Sequence, residues 1–297
     1  MKLAITGSSG FIGSSLVNYL KEQNHEVVRI VRSKPSAGDI LWDPENEKID
    51  SLALDEANVD AIIHLAGEGI AEKKWSEAQK QRIRDSRIKG TRLISKTILE
   101  LENKPSIFIS SSAIGYYGSR KDEVLTEESE SGDDFLSEVC REWESEAQPV
   151  AKDGITTAII RTGHVLEASG GMLKRLILPF KLGIGGRIGS GEQYMSAIAL
   201  KDHVRAITYI AENKLAGTFN LTGPNPLTNN EFTKALGKRL SRPTLLPTPL
   251  LPLKVIYGKE LVDSLLLGSQ RVVPQALTEA GFKFEYETIE DIFESAI

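Results

Sequence analysis

The sequence predicts an α/β protein: a doubly wound parallel sheet carrying a smaller C-terminal lobe. Three observations lead there. The chain opens with a short apolar run, Leu3 to Ile5, followed by a glycine-rich turn and a segment of helical period. Apolar strand-like runs then alternate with helical stretches as far as Arg161, the rhythm of parallel βαβ units. From Gly163 the composition changes to segments punctuated by glycine and proline, which mark a second lobe.

Composition sets the frame for these elements. A chain of 297 residues can bury a sizeable core. Its net charge of −5, with both signs interspersed, gives no electrostatic case for nucleic acid or an anionic membrane surface. The single cysteine, Cys140, excludes an intrachain disulfide and suits a reducing compartment. Lys2 leads directly into the first strand with no apolar leader, and no run reaches the roughly 18 apolar residues of a membrane span. His25, His64, His164 and His203 show no metal-ligand spacing. The expectation is a cytoplasmic protein.

The first turn carries the chemistry. Gly7, Gly10 and Gly13 stand at G-x-x-G-x-x-G spacing, with Ser9 inside the turn. The first interval is one residue longer than in the G-x-G-x-x-G dinucleotide fingerprint. Strand, glycine turn and helix together bring backbone N–H groups and a positive helix end up to a pyrophosphate. The plainer alternative is an ordinary tight turn. The helix that follows lines up Phe11, Ile12, Leu16, Val17 and Leu20 on one side. Glu26 to Val31 reads as the second strand and ends at Arg32-Ser33-Lys34. An arginine about 20 residues past the glycines accommodates a 2′-phosphate, which predicts NADP; the alternative is a solvated basic turn.

Ile40 to Trp42 is a short third strand, and Asp60 to Gly67 a fourth ending in small residues. Ala66 and Gly67 would let a ribose lie against the backbone, whereas His64 reads as a packed core residue. Ser76 to Leu101 is a long basic helix, most of whose charges are expected to form a solvated face. Ile107 to Ile109 is the fifth strand and delivers Ser110, Ser111 and Ser112 to the same sheet edge. Asp133 or Asp134 caps a helix from Phe135 to Lys152, and Ile155 to Arg161 is the sixth strand. Asp202 is expected to cap a helix running through Ala211, and Gly217 to Leu221 reads as a further strand. The division expected is a nucleotide-binding Rossmann domain over 1–162, rejoined by 201–223. A smaller substrate lobe takes 163–200 and 224–297.

These residues carry a resemblance. Thr6 to Gly13, Leu65-Ala-Gly67, Ser110 to Ala113, Ala197 to Val204 and Gly217 to Gly223 resemble the extended short-chain dehydrogenase/reductase superfamily. Ala66-Gly-Glu68, Ser86-Arg87, Gly132 to Leu136, Cys140 to Trp143 and Gly268 to Pro274 resemble one atypical, nucleotide-sugar epimerase-like branch whose substrate is not established. The resemblance implies that Gly7, Ser9, Gly10, Phe11, Ile12 and Gly13 form the pyrophosphate loop. It implies Arg32 and Ser33 at the 2′-phosphate of NADP, Leu65, Ala66, Gly67 and Glu68 beside the ribose, and Ser112 in the place of a catalytic serine. It also implies a homodimer formed through the helices near 76–101 and 133–152.

One departure stands out. Active members use Tyr-x-x-x-Lys, in which a lysine and the nicotinamide charge lower the tyrosine pKa so that it exchanges a proton with a substrate hydroxyl. Aligned through Glu144, those positions are Leu136 and Cys140. The string Tyr117-Gly-Ser-Arg-Lys121 fits the pattern but lies in the loop after the fifth strand, so it reads as a decoy. Arg87 replaces the asparagine common on the preceding helix. Two readings follow. In one, an NADP-dependent epimerase or reductase acts on a small or nucleotide-linked hydroxyl substrate, with Ser112 polarising the oxygen, Tyr116 as acid or as packing aromatic, and His164 at the substrate or bonded within its loop. In the other, a non-catalytic NADP-binding protein senses redox state or presents a surface to a partner.

Overall fold

The computed structural model describes all residues, Met1 to Ile297. Its elements run β1 (Lys2–Thr6), α1 (Phe11–Glu22), β2 (Glu26–Val31), β3 (Ile40–Asp43), β4 (Lys48–Ile49), α2 (Ser51–Ala57), β5 (Ala61–His64) and α3 (Glu77–Glu100). They continue with β6 (Ile107–Ala113), β7 (Val124–Leu125), α4 (Phe135–Ser145), α5 (Gln148–Lys152), β8 (Thr156–Thr162), β9 (His164–Glu167) and α6 (Gly171–Lys181). Then come β10 (Tyr194–Met195), β11 (Ala197–Ala199), α7 (Leu200–Glu212), β12 (Gly217–Leu221), β13 (Leu227–Thr228) and α8 (Asn229–Arg239).

The main sheet has eight strands in the order β12-β8-β6-β5-β1-β2-β3-β4, and every pair is parallel except β3 with β4. The winding reverses between β1 and β5, and a crevice at such a switch point is where ligands bind in open α/β sheets. Strand residues alternate between two faces, as a period of two requires. Leu3, Ile5, Ile63, Ile109 and Ile160 pack with Leu16 and Leu20 of α1 and Val204 and Ile207 of α7. Ala4, Ile62, Phe108 and Ile159 face the other way, onto Ile94 and Ile98 of α3 and Val150 of α5. Covered on both faces, the strands must be apolar throughout, which is why they read as runs and not as alternations. A separate core of Leu166, Leu173, Phe180, Phe232 and Phe293 gathers the chain after the eighth strand.

Three expectations need correction. The helix expected over 135–152 is two helices, broken at Glu146 and Ala147, because Pro149 lacks the N–H that a continuing ladder needs. Asp202 does not cap α7; Ala199 occupies that position without a side-chain bond. Asp202 instead is buried, pairs with Arg205 and accepts the N–H groups of Glu285 and Tyr286, fastening α7 to the C-terminal segment. The strand expected to reach Gly67 ends at His64, for a reason found at the site. The helix start at Ser76 and the choice between Asp133 and Asp134 are settled by caps: Ser76 accepts from Gln79 N–H and Asp134 from Ser137 N–H.

Candidate functional site

The carboxyl ends of β1, β5 and β6 lie side by side, so Gly7, Gly67 and Ser112 share one rim. Gly7 adopts φ +68°, and a Cβ there would come within 2.9 Å of the Leu65 carbonyl carbon. At Gly13 a Cβ would collide with the Gly7 carbonyl, so the turn can close on α1 only through glycine. Gly10 is the N-cap of α1; no side chain caps the helix and no acid stands in its first turn. The N–H groups of Phe11, Ile12 and Gly13 therefore lack protein partners at a positive helix end, the fit a diphosphate requires. Ser9 is exposed at the turn, and the Phe11 ring lies where a Cβ of Gly170 or Gly171 would fall, so the Gly170-Gly171 turn touches the cradle.

The opposite wall is shaped by Thr6. Its hydroxyl oxygen accepts the N–H groups of Leu65 (3.1 Å) and Ala66 (3.3 Å), which pulls both residues out of the β ladder and ends the strand. Its one hydrogen then goes to Nδ1 of His64, 2.7 Å away. His64 is fully buried and burial holds its pKa down to about 3, so the ring is neutral with its hydrogen on Nε2. Beyond this wall Gly67 is exposed, and the Glu68 N–H donates to Ser86 Oγ. Arg87 of α3 lies alongside: a Cβ on Gly67 would stand 3.3 Å from its Cζ.

Arg32 and Ser33 are exposed beyond β2, at the far end of the turn. The acid of this loop, Asp39, is already gripped by Arg29 and by the Ser36 N–H, leaving Arg32 without an ion-pair partner.

The β6–α4 corner holds a buried polar chain. Ser112, 2% exposed, donates to Glu144 Oε1 at 2.6 Å. Arg161 of β8 forks onto the same carboxylate with Nε and Nη2, both at 2.9 Å. Its Nη1 donates to the Tyr117 hydroxyl, which donates to Asn220 Oδ1 of β12. Tyr116 lies face-on over the Arg161 guanidinium, 3.4 Å from ring centroid to Cζ, and its hydroxyl makes no hydrogen bond in the protein. Leu136 packs at Gly115. Cys140 is buried with its thiol on the Ala113 carbonyl, and burial together with the Glu144 charge pushes it up to about 11. Neither residue supplies the missing proton-transfer pair. Tyr117 is fully buried, its phenol pushed up to about 12 by burial, while Lys121 is exposed, so that string does not form a tyrosine–lysine couple facing the rim. His164 sits in β9, its N–H on the Ser196 carbonyl and its Nδ1 buried without a partner.

Sequence reasoning missed the functional placement of Glu144, Arg161, Asn220 and Arg87. Glu144 was findable, since it stands one helical turn past Cys140 and shares its face. Arg161 and Asn220 meet only through the register of β8 with β6 and β12, which no local pattern encodes.

Comparison with known proteins agrees with this geometry. Residues 3–222 match the family model described as the NAD dependent epimerase/dehydratase family, and 248–296 match a domain of unknown function, DUF1731. The epimerase family protein Mb2239 of Mycobacterium bovis is 44% identical over 289 residues, covering 97% of this chain and 94% of that one. The crystal structure of human epimerase family protein SDR39U1 with NADPH superposes with a TM-score of 0.89 at 29% identity, covering 100% of this chain and 99% of that one. A nucleoside-diphosphate sugar epimerase of Corynebacterium glutamicum gives 0.81 at 36% identity, covering 100% of this chain and 58% of that one. With a parallel sheet wound about a glycine cradle and a family match over most of its length, the chain belongs to the NAD-dependent epimerase/dehydratase family.

Proposed function

We propose that this protein binds NADP(H) across the switch point and uses it to oxidise, reduce or epimerise a small or nucleotide-linked hydroxyl compound. The observation that carries the reading is the cradle itself, an uncapped and acid-free helix start walled by Leu65, with an unpaired arginine beyond β2. The NADPH bound to human SDR39U1 and the name of the Corynebacterium relative support it. In this reading the amides of Phe11, Ile12 and Gly13, with Gly7, Ser9 and Gly10, hold the diphosphate. Arg32 and Ser33 hold the 2′-phosphate, and Leu65, Ala66, Gly67 and Glu68 line the ribose. The bound nicotinamide supplies a hydride donor or acceptor. Ser112 offers its hydroxyl to the substrate oxygen, Glu144 behind it takes or returns the proton, and the free phenol of Tyr116 and the ring of His164 complete the substrate side. A homodimer through α3 and α4 accords with their charges: Arg84 pairs with Glu138 and Glu142, and Arg92 with Glu146, so the basic helix is neutralised within one chain.

A second reading, a binding protein without turnover, is favoured by one observation: the Ser112 hydroxyl is sealed and already committed to Glu144. The two separate in one experiment. NADPH deuterated at C4 is incubated with the protein and a mixture of small metabolites, and products are read by mass spectrometry. An enzyme moves deuterium into a product, Ser112→Ala stops it, and NADPH affinity is unchanged. Saturable binding with no transfer, and with no NADPH formed when NADP+ is given the same mixture, leaves the binding protein.

A further inference from the structure

We infer that Arg87 is an anion-binding residue of the cleft, and that the open edge of its guanidinium receives a carboxylate of a small acidic substrate. The inference rests on the cofactor reading above and gives its substrate a chemical class.

The argument is an internal comparison. Arg29, Arg92, Arg120 and Arg161 all use the edge formed by Nε and Nη2 to grip a carboxylate, on Asp39, Glu146, Glu123 and Glu144 respectively. Two parallel N–H groups match two carboxylate oxygens, the strongest arrangement that a guanidinium makes. Arg87 lacks this partner. Its Nη1 is taken by two neutral acceptors, the carbonyls of Glu68 and Ile83, both at 3.0 Å. Its Nε and Nη2 donate to nothing, and neither is sealed from solvent. No carboxylate comes within ion-pair distance of it, the nearby Glu68 side chain included.

Its position makes the vacancy meaningful. The guanidinium is held over the Trp143 ring, 5.1 Å to the centroid, and against the exposed backbone of Gly67 on the rim. Burial lowers its pKa, so the site disfavours the charge that it nonetheless carries. A half-buried cation with no carboxylate in ion-pair contact, and only the Glu68 charge at longer range, is costly to keep in a fold. Of the six other cations of α3, Lys80, Arg84, Lys89 and Arg92 have acidic partners supplied by the chain. Arg82, on the exposed side, bonds the Gln79 side chain, and Lys96 is exposed to water. Arg87 alone among these faces the cleft, fixed at one nitrogen and open at the edge that binds anions. An incoming carboxylate would be oriented by that edge beside the Gly67 rim.

The test uses protein saturated with NADPH at fixed ionic strength, with malonate as the acidic probe and malonamide as its neutral counterpart. The readout is the indole N–H resonance of Trp143, identified by its loss in Trp143→Phe. Malonate should shift it saturably and malonamide should not. Arg87→Gln should weaken malonate about tenfold or more, Arg87→Lys should keep part of the binding, and NADPH affinity should change less than about twofold in both. A malonate response that survives Arg87→Gln, or that malonamide reproduces, overturns the inference. So does an equal fall in NADPH affinity, which would assign the guanidinium to the cofactor. Failure of wild type to bind NADPH sinks the cofactor reading instead, and malonate is then read on the free protein by the same criteria.

Discussion

The glycine turn after β1 and the corner between β6 and α4 stand on the same rim but are built from different material. The turn is almost entirely backbone: its chemistry lies in unpaired N–H groups, and its residues matter for the side chains that they lack. The corner is entirely side chain. Ser112, Glu144, Arg161, Tyr117 and Asn220 form one chain of hydrogen bonds drawn from β6, α4, β8, β12 and the loop after β6. A backbone site tolerates drift in its surroundings as long as the glycines stay. A side-chain site depends on each member's partners, and here Glu144 and Arg161 form its ionic centre, with Leu136 and Cys140 packed beside it.

The sharpest way to break the comparison is to cut that centre. Glu144→Gln leaves Arg161 without its counterion inside the protein, and losing one member of a buried pair costs about 3–5 kcal/mol. Urea unfolding should report a loss of that size, while NADPH still binds the turn. A loss below about 1 kcal/mol would mean that the corner is not held by this pair.

The same contrast decides what was legible in the sequence. Glycine spacing, strand runs and the Arg32 offset are local, so the parallel sheet and the cradle could be read directly. The resemblance pointed to Ser112, and helical spacing offered its partner Glu144, but Arg161 could not be read, because it reaches Glu144 through strand register. The strand end at His64 was hidden too, since it depends on one threonine hydroxyl 59 residues away in sequence from Leu65. The α4–α5 break was legible and missed: Pro149 announces it.

Acid probes the turn side next. His64 and His203 are buried and neutral, each with a folded-state pKa of about 3 against an ordinary value near 6.5. Between those values the unfolded chain binds protons that the folded one refuses. Their contribution is therefore fully present above about pH 6.5 and lost as pH falls toward 3, at about 1.4 kcal/mol per pH unit from each. Denaturant unfolding at pH 7, 6 and 5 should show the slope, and His64→Gln should make it shallower by the share of His64, with His203 and His164, also lowered by burial, still contributing. Protonating His64 would also strip Thr6 of its acceptor, so the Leu65 wall should loosen first. Protection of the Leu65 and Ala66 amides, corrected for the intrinsic slowing of exchange in acid, that does not fall ahead of the other strand ends would contradict the link between histidine and wall.

The most direct test of the account is calorimetric titration of NADPH and NADH against wild type and Arg32→Ala. A 2′-phosphate brings close to two negative charges to an arginine that has no other partner, whereas NADH offers a neutral hydroxyl. A charge-assisted contact of this kind contributes about 1.5–3 kcal/mol, roughly one to two orders of magnitude in affinity. Wild type should prefer NADPH by that factor, and Arg32→Ala should erase the preference with NADH binding unchanged. Equal losses for both cofactors, or no preference in wild type, would contradict it.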